Sequence, residues 1–123
     1  MHNVMIVDDS VLIRRVLSKA LVELGCNVVG EAKDGQEAVD LYPSCNPDLV
    51  TIDITMPKIT GIEALKEIKK SHPNIKAIMM TSHGEEKIVK EALAAGAKGY
   101  TLKPITPKKV KVVVEKFFPD LFE

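Results

Sequence analysis

The chain has 123 residues, enough for one domain with a self-sufficient core. Its 46% hydrophobic and 28% charged residues exclude a disordered or collagen-like chain. With 17 basic against 17 acidic residues, 4% aromatics and no Trp, neither overall charge nor base-stacking surfaces direct it to nucleic acid or membrane.

The spacing of apolar residues predicts five strand-then-helix units. Val4-Met5-Ile6-Val7 is a continuous apolar run that stops at Asp8-Asp9. Ser10 reads as the N-cap of a helix whose apolar face is expected at Val11, Leu12, Val16, Leu17, Ala20, Leu21 and Leu24, closed by Gly25. Asn27–Gly30 reads as a short strand, and Asp34 with Glu37 as a capping box for a helix to about Leu41. Leu49–Ile52 is the third strand, ending at Asp53. Thr60-Gly61-Ile62-Glu63 is a second capping box, opening a helix to about Lys70. Ala77–Met80 is a strand ending at Thr81, followed by a helix over about Glu85–Ala95 that Gly96 stops. Gly99–Leu102 leads to Lys103, and Thr106-Pro107 opens the last helix, with Val110, Val113, Val114 and Phe117 on one face.

Five apolar strands alternating with helices specify an α/β fold, a buried parallel sheet with helices on both faces, in a single domain over residues 1–123. Charge is uneven along it: residues 1–61 carry five basic and nine acidic residues, residues 62–123 twelve and eight, so folding can pair the two sets. Cys26 and Cys45 are too few for a disulfide framework or a four-ligand zinc site and read as reduced thiols. The N-terminus lacks a basic signal region and no apolar run is long enough to span a bilayer, so a soluble, cytoplasmic protein is expected.

Ligands of open α/β sheets bind beyond the carboxyl ends of the strands. Those ends here are Asp8-Asp9, Asp53, Thr81 and Lys103: three carboxylates, a hydroxyl and an ammonium on one rim. Three gathered carboxylates repel one another unless a cation joins them, and oxygen-only ligation suits Mg²⁺ or Ca²⁺. Mg²⁺ with retained waters is the pattern where a phosphoryl group completes the sphere. A carboxylate can itself accept that group as an acyl phosphate, with an ammonium and a hydroxyl on its oxygens. Asp53, flanked by the others, is the central candidate nucleophile, with Lys103 and Thr81 of the right types to assist.

The runs Val7-Asp8-Asp9-Ser10, Asp53-Ile54-Thr55-Met56-Pro57 with Gly61, Met80-Thr81, and Gly99-Tyr100 with Lys103-Pro104 occur in this order along about residues 3–117. Together they resemble the bacterial two-component response-regulator receiver domain, in particular stand-alone chemotaxis regulators of the CheY type. The resemblance implies a flavodoxin-like (βα)5 domain with strand order 2-1-3-4-5. It implies Asp53 as phosphoacceptor, Mg²⁺ held by Asp8, Asp9, Asp53 and the Thr55 backbone carbonyl, and Thr81 and Lys103 on the phosphoryl group. Lys103-Pro104 is expected to be cis, and Tyr100 to act with Thr81 as the switch. The implied partners are a CheA-like histidine kinase as phosphodonor, an output protein such as a flagellar motor switch protein, and a phosphatase. The protein itself is then a monomeric switch and no enzyme beyond handling phosphate on its own Asp.

Thr55 and His83 occupy positions where such receivers tune dephosphorylation, and Ile105 stands where many relatives carry Phe. Met56, Met79 and Met80 read as packing residues, and the basic set Lys108, Lys109, Lys111 and Lys116 as a solvated helix face. The alternatives are a phosphorelay intermediate, the receiver of a larger regulator, and an Asp-nucleophile phosphatase. The last is disfavoured because such enzymes use Asp-x-Asp, whereas this chain has adjacent Asp8-Asp9.

Overall fold

Each central strand is apolar on both sides, so it is stable only when covered twice, and the fold answers that demand. The computed structural model describes residues 2–82 and 84–123. In chain order the elements are β1 (Asn3–Val7), α1 (Val11–Glu23), β2 (Asn27–Ala32), α2 (Gly35–Cys45), β3 (Leu49–Asp53), α3 (Gly61–Ser71), β4 (Ala77–Thr81), α4 (Glu86–Ala94), β5 (Gly99–Leu102) and α5 (Pro107–Phe117). A 3₁₀ turn, Pro119–Phe122, follows. The strands form one parallel sheet in the order β2-β1-β3-β4-β5, the order that the resemblance implies.

Strand residues alternate between two cores. Met5, Val7, Val50, Ile52, Ala77 and Met79 face one side with α2 and α3, where Ala38, Tyr42, Leu65 and Ile68 pack. Val4, Ile6, Leu49, Ile78 and Met80 face the other with α1 and α5, where Leu17, Leu21, Val110 and Val114 pack. That two-sided burial is why β1, β3 and β4 read as continuous apolar runs.

Caps set the helix starts. Ser10, Asp34, Thr60 and Thr106 each accept a hydrogen bond from the backbone N–H three residues on. Only at Thr60 is the full capping box present, with Glu63 reaching back to the Thr60 N–H. Glu37 instead accepts from Lys33 N–H, so the expected box at Asp34 is half formed. α2 also runs past Leu41 to Cys45 with Pro43 inside it, because a proline near a helix end forfeits a single backbone bond. β2 continues two residues beyond Gly30, paired with β1 through Val7↔Ala32.

The expected apolar face of α1 is corrected. Leu17, Ala20 and Leu21 are buried, but Val11, Leu12 and Val16 are exposed at 54%, 68% and 37%. At 3.6 residues per turn the buried stripe is centred on Leu17 and Leu21, and those three valines and leucines lie off it. The methionines behave as expected, with Met56, Met79 and Met80 all buried.

Candidate functional site

The sheet hydrogen bonding runs slightly past the strands and carries the polar residues with it. Asp8 N–H donates to Ala32 O at 3.0 Å, Ile54 N–H to Met80 O at 3.0 Å, and Lys103 N–H to Thr81 O at 2.8 Å. These bonds tie β1 to β2, β3 to β4 and β4 to β5, and with Val7 of β1 in register with Ile52 of β3 the carboxyl ends of β1, β3, β4 and β5 lie side by side. Gly61 closes the loop after β3: its N–H donates to Ile54 O, and a Cβ at this position would collide with the Asp53 carbonyl oxygen. Only glycine allows α3 to start this close to the Asp53 backbone.

The structure brings Asp8, Asp9, Asp53 and Lys103 together. Asp8 and Asp53 are buried, at 1% and 4% exposure, while Asp9 is exposed. One carboxylate oxygen from each of Asp8, Asp9 and Asp53 lies within 4.8 Å of the others. Lys103 Nζ sits between two of them, 3.1 Å from Asp8 Oδ2 and 3.4 Å from Asp53 Oδ1. Asp8 Oδ1 accepts from Ser10 N–H at 2.9 Å, whereas the buried Oδ2 accepts no well-directed hydrogen bond and faces the ammonium as a charge. Thr81 is buried at 2% exposure, and Met80, beside it, is in register with Thr101 while Thr81 itself pairs with Leu102.

The electrostatics are those of a site with too much negative charge. Burial, then the neighbouring Asp8 carboxylate, push the Asp53 carboxyl from 3.8 up to about 6. Lys103 and the Thr55 backbone N–H pull it the other way without cancelling the rise. One ammonium does not neutralise three carboxylates. The donor set (hard, anionic oxygens, one of them buried without a directed hydrogen bond) fits a divalent cation of the Mg²⁺ kind.

The other expected residues take these places. Thr55 is exposed two residues beyond Asp53, its N–H on the Asp53 carboxylate. The Lys103–Pro104 peptide is cis. Tyr100 stands away from the acid cluster, 46% exposed on edge strand β5, beside a groove lined by Thr101, Leu102, Lys109 and Val112. His83 lies outside the described residues.

Two supports were not foreseen. Arg14 Nη1 donates to the Asp8 carbonyl at 2.6 Å while its Nε pairs with Glu31 at 3.3 Å, pinning the acid loop to β2. Lys58 pairs at 3.4 Å with the buried Asp34, tying the loop after β3 to the start of α2. A basic residue one turn into the helix after an acid pair is a readable hint of the first. The second depends on two loops meeting in space.

Comparison with known proteins bears on this arrangement. Residues 4–115 match the family model described as the response regulator receiver domain. The chain is 44% identical over 113 residues to the chemotaxis protein CheY of Thermotoga maritima, covering 92% of this chain and 94% of that protein. It is 42% identical over 115 residues to CheY of Bacillus subtilis, covering 94% and 96%. A chain in the crystal structure of the CheX–CheY–BeF3–Mg²⁺ complex from Borrelia burgdorferi superposes with a TM-score of 0.90 at 42% identity, over 94% of this chain and 88% of that one. With the matched residues spanning all five strands and the acid-lined rim, the chain belongs to the response regulator receiver domain family.

Proposed function

We propose that this receiver domain is a phosphorylatable signalling switch in which Asp53 accepts a phosphoryl group from the phosphohistidine of a CheA-like histidine kinase. The observation that carries the reading is the Lys103 ammonium between two buried carboxylates, 3.1 Å from Asp8 and 3.4 Å from Asp53, with Asp9 completing the cluster. An Asp53 carboxylate oxygen attacks phosphorus, the phosphorus–nitrogen bond breaks, and its electron pair returns to the imidazole, leaving an acyl phosphate.

Asp8, Asp9, Asp53 and the Thr55 carbonyl are the groups that would hold Mg²⁺. When bound, the ion supplies positive charge against the oxygens of the transferring group. Lys103 holds a second positive charge at the same place, and the Thr81 hydroxyl offers a hydrogen bond from the adjacent strand. The likeness to a chain from a complex containing BeF3 and Mg²⁺ supports both assignments.

Drawing Thr81 towards a phosphoryl group vacates space behind it, and Tyr100, half exposed on the next strand, is the large side chain able to fill it. Phosphate then shifts populations between two arrangements, and an output protein binds the one it prefers. The two relatives named chemotaxis protein CheY support chemotaxis as the setting, in which an output protein such as a flagellar motor switch protein and a cytoplasmic location belong to the same reading. Among the described residues no helix is long and apolar enough to cross a membrane.

The test is transfer of labelled phosphate from a phosphorylated histidine kinase, with Mg²⁺ and with the ion chelated. Transfer should require Mg²⁺, and Tyr100→Ala should accept phosphate at the wild-type rate while losing the phosphate-dependent change in amide exchange over about residues 81–95 and 99–104. Failure to take phosphate from either a kinase or a small phosphodonor refutes the reading.

A further inference from the structure

Lys109 lies on the first turn of α5, outside the acid cluster, where its side chain reads from sequence as part of a solvated basic face. Its ammonium instead donates two hydrogen bonds to the backbone, to Leu102 O at 2.8 Å and to Pro104 O at 3.1 Å. Those carbonyls belong to the residues immediately before and after Lys103. Lys109 is itself anchored, because its N–H donates at 3.2 Å to the N-cap hydroxyl of Thr106. On its other side Lys103 N–H is bound to Thr81 O at 2.8 Å. The backbone that launches the Lys103 side chain is therefore gripped from β4 and from α5 together.

This grip matters because Lys103 has a long, flexible stem, yet its Nζ has to sit within 3.1 and 3.4 Å of two carboxylates on different strands. A flexible side chain holds such a position only if its root does not wander, and displacements of about 1 Å in a charged site carry large costs in rate. Lys109 is the group that ties the last carbonyl of β5, at Leu102, and the Pro104 carbonyl to α5.

We propose that Lys109 is a positioning residue for Lys103, setting where the Lys103 ammonium meets a phosphoryl group on Asp53. The inference rests on the phosphoacceptor reading given above. Lys109 touches neither that group nor the acid cluster, so its contribution runs through Lys103 alone, and metal binding by the three aspartates is left intact.

The experiment compares wild type with Lys109→Met, which keeps the stem and removes the donors, Lys109→Arg, which keeps donors, and Lys108→Met, which removes the adjacent charge from an exposed site. Beryllofluoride is titrated in excess Mg²⁺ by the rise in melting temperature, Mg²⁺ is titrated alone, and phosphorylation by acetyl phosphate is followed against donor concentration. Lys109→Met should raise half-saturating beryllofluoride by about 3- to 10-fold, the size of one or two exposed hydrogen bonds, and slow the maximal phosphorylation rate similarly. Its Mg²⁺ half-saturation should match wild type, Lys109→Arg should recover most of the loss, and Lys108→Met should behave as wild type. The proposal is overturned if Lys109→Met binds beryllofluoride as wild type does, if it loses Mg²⁺ equally, if Lys108→Met shows the same loss, or if Lys109→Arg recovers nothing. A wild type that takes phosphate normally confines such a failure to Lys109; a wild type that takes none removes the phosphoacceptor reading and this inference with it.

Discussion

Replacing Asp53 by Asn should stabilise the metal-free protein at neutral pH. Asp53 is 4% exposed and its carboxyl titrates at about 6 in the fold against 3.8 in the open chain. Two units at about 1.4 kcal/mol each place the cost of holding that charge near 3 kcal/mol. The sign follows from proton counting. Between those two pH values the folded state keeps a proton that the unfolded chain has released, so stability falls as pH rises through the interval and is level on either side. Asn is neutral throughout and escapes the fall, while Lys103 keeps Asp8 as its partner. Urea unfolding in chelator should show wild type and Asp53→Asn nearly equal at about pH 3.5, diverging to about 2–3 kcal/mol above pH 7, roughly 10 °C in melting temperature for a domain of this size. Mg²⁺ should narrow the gap, since it stabilises the charged site by mass action. A gap of the same size at both ends of the range, or a variant less stable than wild type at neutral pH, would refute the electrostatic account of the site.

Asp9→Ala should abolish most of the stabilisation by Mg²⁺ seen in thermal melts while leaving the fold intact, because Asp9 is exposed and offers its carboxylate to the acid cluster without sitting in the core. Gly61→Ala should destabilise by about 1–3 kcal/mol in urea titrations, since the new Cβ meets the Asp53 carbonyl, and should slow phosphorylation by shifting the Asp53 backbone. Thr60→Ala should cost about 1 kcal/mol through loss of the capping box without changing the phosphorylation rate, separating helix stability from site geometry.

The sheet and its rim were legible in the sequence because two short-range rules agree. Asp8, Asp53, Thr81 and Lys103 each follow an apolar run, and the carboxyl ends of parallel strands share one edge whatever the strand order. The caps at Ser10, Thr60 and Thr106 were legible for the same local reason. The exposure of Val11, Leu12 and Val16 on α1 is not legible in the sequence, because an apolar side chain can stand exposed and composition does not say which edge of a helical stripe meets the sheet. Glu37 shows a different limit: the box pattern is present, but Lys33 N–H competes for the carboxylate. Lys58 and Lys109 act on groups outside their own turn, and nothing in their local sequence distinguishes them from solvated charges, whereas Arg14 leaves only the hint of its place one turn after the acid pair.

The central claim is that the buried carboxylate at the end of β3 is the group that carries phosphate. Its most direct test is to treat the protein with acetyl phosphate and Mg²⁺, trap the acyl phosphate by borohydride reduction, and map the modified residue by mass spectrometry. The account predicts one modified site, Asp53, with no product when Mg²⁺ is chelated and none in Asp53→Asn; reduction of Asp8 or Asp9 instead, or undiminished modification of the Asp53→Asn protein, would contradict it.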